Sequence, residues 1–204
     1  MKRVRLSPRR QALAGALLCA ALMLQPFREM LELSMQRHML LQYPALLLAG
    51  FLLGRAVPPA AARWAAGWNA LGISGMTAVS LILALLMIPR VLDLALVDAR
   101  IEALKVGALV FAGAIVRPSW RSAGLIVQAF FVGGVVMMTI VAGDLYQDAP
   151  LRLCNAYRLD DQQRLGEKLV LIATMAGTGW VLWAGRRVMR QEALLMPPAG
   201  PERP

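Results

Sequence analysis

Residues 122–143 read SAGLIVQAFFVGGVVMMTIVAG, 22 positions without a charged side chain. A helix needs about 20 mainly apolar residues to cross a hydrocarbon core. In lipid its backbone groups must be satisfied internally, so a run of this kind reads as a spanning helix. Further uncharged runs lie at 11–27, 39–54, 64–89, 106–116 and 169–185. Over the whole chain, 58% of 204 residues are hydrophobic and 17% charged, against about 25% charged in a soluble domain. The expectation is an all-α integral membrane protein, a bundle of about six transmembrane helices filling residues 1–195. A Pro-rich tail at 196–204 is expected to be disordered. No internal repeat and no soluble domain stand out.

The net charge of +10 invites a nucleic-acid reading, but its distribution argues against one. With six spans, the segments before span 1, between spans 2 and 3, between 4 and 5 and after 6 hold 13 Lys/Arg and 2 carboxylates. The alternate segments hold 9 Lys/Arg and 10 carboxylates. The positive-inside rule then places both termini in the cytoplasm. Trp64, Trp68, Trp120, Trp180 and Trp183 fall near the expected cytoplasmic ends, as an interfacial belt requires. Residues 2–24 resemble an export signal, but no A-x-A-like cleavage site follows, so an uncleaved first span is expected. Arginine outnumbers lysine 19 to 3, a coding bias of GC-rich bacterial genomes, so a multi-pass place in a bacterial plasma membrane is expected.

Span 4 is the anomaly. Its uncharged core, 106–116, has 11 residues, about 16 Å of helix. To cross a bilayer it must begin near Ala99 and take Arg100, Glu102 and Lys105 into its outer half. Glu102 and Lys105 are three apart and can pair on one face. Ionisable groups at such depth usually face a bundle interior and carry function; the competing reading is a snorkelling pair at a shallow helix end.

The chain's only histidine, His38, stands in LSMQRHMLLQYPA (33–45), where a charged loop enters span 2. Met35, His38 and Met39 share one side of a helix by spacing. Imidazole and thioether suit soft metals such as Cu(I); the competing reading is an interfacial histidine with methionines packed around it. Pro44 is expected to kink the helix. Cys19 is expected inside span 1 and Cys154 in a non-cytoplasmic loop, so no bridge between them is expected. Walker A, Rossmann and HExxH signatures are missing, which argues against an enzyme.

Three segments together resemble the polytopic CtaG family of cytochrome c oxidase assembly proteins. The family's H-M-x-Q-H-M-L-L resembles SMQRHMLL at 34–41, which is followed by PALLLAG at 44–50. Its P-x-x-Y-D-x-A-L resembles PRVLDLAL at 89–96, with Asp93, and its D-Q-Q-L-G-G resembles Asp161, Gln162 and Gln163 in DQQRLG at 161–166. Order and approximate spacing agree from residue 33 to 187. The departures are specific. Ser34 stands where the family has its first histidine, and the family's H-A-L-E-H corresponds to Glu102-Ala103-Leu104-Lys105-Val106, without either histidine. The family also tends to seven spans. A several-imidazole copper site therefore does not carry over, and His38 is what remains of it, with Met35, Met39, Met137, Met138 or Cys154 as candidate supplementary ligands.

What the resemblance implies is a membrane-embedded assembly or accessory factor for a respiratory haem–copper oxidase, docking to oxidase subunits and handling copper at the non-cytoplasmic face. Copper is the one cofactor candidate, and none is fixed by the sequence. Two other readings stay open: a small transporter or channel using the Glu102–Lys105 pair, and a purely structural membrane subunit. The expected partners are the lipid bilayer and oxidase subunits, not nucleic acid.

Overall fold

The computed structural model describes residues 7–195, and the tail at 196–204 lies outside the described residues. Among the described residues every regular element is helical. The chain runs through α1 (Pro8–Met23), α2 (Gln25–Glu32) and the short α3 (Met35–Arg37) into a π-helical turn at His38–Gln42. It continues through α4 (Tyr43–Leu53), a 3-10 turn at Gly54–Ala56, α5 (Pro59–Trp68), α6 (Ile73–Leu86) and α7 (Pro89–Val97). The last three helices are the longest: α8 (Ala99–Ser122), α9 (Leu125–Asp148) and α10 (Leu159–Leu195).

Three stretches are each long and apolar enough to cross a membrane: Met35–Ala56, Leu125–Asp148 and Leu159–Leu194. The number rises to five if two sharply bent pairs, α1 with α2 and α5 with α6, each count as one span. Two of the expected continuous spans are thus broken. The first bends by 69° at Leu24, just before Pro26 at the start of α2. The longest uncharged run, 64–89, bends by 90°. Gly72 sits there with φ of 73°, a left-handed conformation that glycine adopts without steric cost. Asn69 locks the corner by donating to the Ser119 hydroxyl at 2.8 Å and accepting from the Gly75 amide at 3.0 Å. Apolar composition alone is blind to such a break.

The expected loop at 144–168 is largely helical as well, because α9 runs on to Asp148 and α10 starts at Leu159. At 37 residues, α10 is about 55 Å long and outruns an apolar core of about 30 Å.

Helix α4 packs alongside α8 in the same direction: Gly50 lies against Val110, and Gly54 just beyond α4 against Ala114. A Cβ on Gly50 would run into the Val110 carbonyl, and one on Gly113 into the Leu47 carbonyl, so the two glycines set the close approach. Helix α1 crosses α4 at Gly15, and α9 pairs with α10 in the opposite direction through Gly143 and Gly166. These pairings bring His38, Tyr43, Met87, Lys105 and Tyr146 to one end of the bundle. Arg55, Ser119 and Arg117 come to the other.

Overpacking a closed helix contact costs about 1–3 kcal/mol. Gly113→Ala is therefore expected to lower the thermal midpoint of the purified protein in micelles. Gly107→Ala, which points a Cβ into open space, should leave it unchanged or raised.

Candidate functional site

The π turn at His38–Gln42 is the local device that builds the site. The Tyr43 amide donates to the His38 carbonyl, five residues back. Pro44 follows directly, and its missing N–H and bulky ring disfavour a regular turn there. The expected kink at Pro44 thus takes the form of a widened turn, a feature that often marks functional segments. It turns both His38 and Gln42 into the bundle, and each is fully buried.

Helix α8 brings the other half. The Asp98 carboxylate caps its first turn by accepting from the Arg100 amide at 2.7 Å. Glu102 and Lys105 then face inward, 4% and 1% exposed, and do not snorkel. Their side chains pair at 2.6 Å. Lys105 Nζ also donates to His38 Nε2 at 2.9 Å and to Gln42 Oε1 at 3.4 Å. From α2, the Arg28 Nε donates to both Glu32 oxygens at 3.0 and 3.2 Å and lies 3.8 Å from Glu102. Glu32 in turn lies 3.8 Å from Lys105. Two cations and two anions thus share one cluster, buried at Lys105 and Glu102 and partly exposed at Arg28 and Glu32, and the formal charges cancel.

Tyr157 fixes the histidine's tautomer. Its hydroxyl donates to the Glu32 carbonyl at 3.1 Å. The same oxygen lies 2.7 Å from His38 Nδ1, so it accepts from an Nδ1–H. That leaves the Nε2 lone pair to receive the Lys105 proton. The Tyr43 ring meets His38 edge-on, with centroids 5.5 Å apart.

The expected metal residues, His38, Met35 and Met39, are all buried here, Met35 completely. A Cu(I) ion on His38 needs a free ring nitrogen, and both are engaged. The ammonium of Lys105 already holds the Nε2 lone pair and would repel a second cation. Among the described residues, no three His, Cys, Asp or Glu side chains form a metal-holding group either. Met137, a further thioether, is exposed on α9. The residues as arranged do not fit a copper site.

Three of the four motif residues, Asp161, Gln162 and Asp93, bind neighbouring segments, mostly through backbone amides. Asp161, from the start of α10, accepts from the Met35 amide at 2.5 Å, the Ser34 hydroxyl at 3.1 Å and the Gln36 amide nitrogen at 3.0 Å. It caps α3 from a different helix, while Ser34 makes no such cap itself. Gln162 accepts from the Leu153 and Cys154 amides at 3.0 and 3.2 Å. Asp93, on α7, accepts from the Asn155 and Ala156 amides at 2.7 and 3.2 Å. Gln163 is exposed beside an open surface hollow with Arg152 and Arg158.

Sequence reasoning missed Arg28, Glu32, Gln42 and Tyr157. The i, i+4 spacing of Arg28 and Glu32, and of His38 and Gln42, was a usable signal. Nothing local to Tyr157 marks it, since its partners are 119 and 125 residues away. In comparisons with family models, with curated proteins and with solved structures, nothing matches the chain.

Removing one partner of a buried ion pair costs about 3–5 kcal/mol, because the other charge is left uncompensated. Lys105→Met should therefore strongly destabilise the protein in denaturant titrations in micelles, and adding Glu102→Gln should recover most of the loss. At Cys154, burial above all, helped by the nearby Asp93 charge, pushes the thiol up to about 12. The thiol therefore stays protonated at any pH below that value, and the thiolate is the reactive form. In a Cys19→Ser background, maleimide at pH 8 should label Cys154 only after unfolding.

Proposed function

We propose that the protein is a non-enzymatic, membrane-embedded assembly or accessory factor for a respiratory haem–copper oxidase. In this reading it spans a bacterial plasma membrane six times, with α8 as the fourth crossing and both termini in the cytoplasm. One observation carries the reading. The three segments that resemble the CtaG family, far apart in the chain, interlock around one loop at the histidine end. Asp161 ties the 161–166 segment to the 34–41 segment. Gln162 and Asp93 hold the loop between them, and the Cys154 thiol contacts the Pro89 carbonyl at 3.7 Å.

The segments thus act as one clasp that shapes the outer surface, which is what a docking scaffold needs. Copper transfer at His38 is not included, because Lys105 holds the position a metal would take. The carrier reading draws on the same buried Glu102–Lys105 pair, but that charge is already matched inside the chain.

Deleting the gene in its host should lower fully assembled haem–copper oxidase on native gels and in spectra. The wild-type gene and a Gln163→Ala variant should restore it, and Asp161→Ala should not. Normal oxidase levels in the deletion strain would sink the assembly role.

A further inference from the structure

The arginine end of the bundle carries charges that no carboxylate among the described residues pairs with. Arg117 stacks over the Phe51 ring, with its guanidinium carbon 5.1 Å from the centroid. Arg55 follows Phe51 by one helical turn, and Arg121 follows Arg117 by one turn, so both project toward the same corner. They lie near enough to Arg117 for their charges to repel it. Among the described residues, Arg55, Arg117 and Arg121 take part in no ion pair.

The neighbouring α5 adds an independent observation. It has no buried residue, and its Trp64 and Trp68 are each 73% exposed. It meets α6 at 90° and begins three residues after the turn that carries Arg55. A helix lying across the end of a membrane bundle, with exposed tryptophans and no protein cover, suits the headgroup layer. Basic clusters between helix ends at that layer recognise anionic headgroups.

We infer that Arg55, Arg117 and Arg121, beside the interfacial helix α5, form a binding site for the phosphate of an anionic phospholipid. The guanidinium groups supply paired donors for phosphate oxygens, and α5 and its tryptophans bed into the adjoining headgroup and acyl boundary. The lipid supplies the counter-charge that the fold omits. This inference needs only the membrane setting and stands apart from the oxidase reading.

The test is native mass spectrometry of the full chain in micelles titrated with phosphatidylglycerol, phosphatidylcholine or inorganic phosphate. Phosphatidylglycerol adducts should persist where phosphatidylcholine adducts do not. Each arginine-to-glutamine change should weaken binding about five-fold. The triple variant Arg55→Gln/Arg117→Gln/Arg121→Gln should therefore bind about a hundred-fold more weakly. The corresponding triple lysine variant should retain binding, and Arg186→Gln/Arg187→Gln/Arg190→Gln on α10 should leave it unchanged. Equal binding of the two lipids, or undiminished binding by the triple glutamine variant, would overturn the site. So would equal loss in the triple lysine or the α10 variant. Displacement of the lipid by millimolar inorganic phosphate would assign the site to free phosphate instead.

Discussion

The histidine end of this protein is organised by one constraint: the ammonium of Lys105 has been taken out of water and must be satisfied from within. A buried cation is tolerable only when partners surround it. Here these are the Glu102 carboxylate at 2.6 Å, the His38 imidazole at 2.9 Å and the Gln42 amide oxygen at 3.4 Å. Each partner has a structural requirement of its own. Glu102 needs α8 to start early enough that its first turn is inside the bundle. His38 and Gln42 need the π turn ahead of Pro44, and the second carboxylate, Glu32, needs α2 to fold back toward the core with Arg28.

The clasp formed by the motif residues supports that arrangement from outside. Tyr157, which sets the histidine tautomer, lies in the loop between α9 and α10, and a loop is only as fixed as its backbone bonds. Asp93 and Gln162 accept four amides of residues 153–156 just before it. Asp161 ties the beginning of α10 to the beginning of α3. These polar residues hold main chain, and their effect on the histidine passes through position. A carboxylate that caps a foreign helix has little freedom to ligate anything else.

What the sequence disclosed follows from what is local in it. Uncharged runs gave the helical membrane class, and the start of α8 at Ala99 followed from the short apolar core at 106–116. The pairing of Glu102 with Lys105 followed from their spacing. The breaks at Leu24 and Gly72 were hidden, because lipid-like composition is the same on both sides of a bend and only backbone conformation distinguishes them. The nature of the histidine site was hidden for a different reason. Met35, His38 and Met39 are all buried, but what engages the histidine's Nε2 is Lys105, 67 residues away. A soft-ligand pattern specifies donors and says nothing of what already occupies them.

The two ends of the α4–α8 pair then differ in where their counter-charges come from, and depth explains why. Inside the bundle no water or ion can compensate a charge cheaply, so the chain supplies equal numbers of carboxylates and cations within a few ångströms. At the opposite end, Arg55, Arg117 and Arg121 reach the boundary where headgroups and water are available, and a carboxylate from the chain would be redundant there. The same pair of helices, held at close range by Gly50 and Gly113, is self-neutral where it is sealed. It is cationic where it opens, so any regulator of this protein that acts through charge has access to the arginine end and not to the histidine.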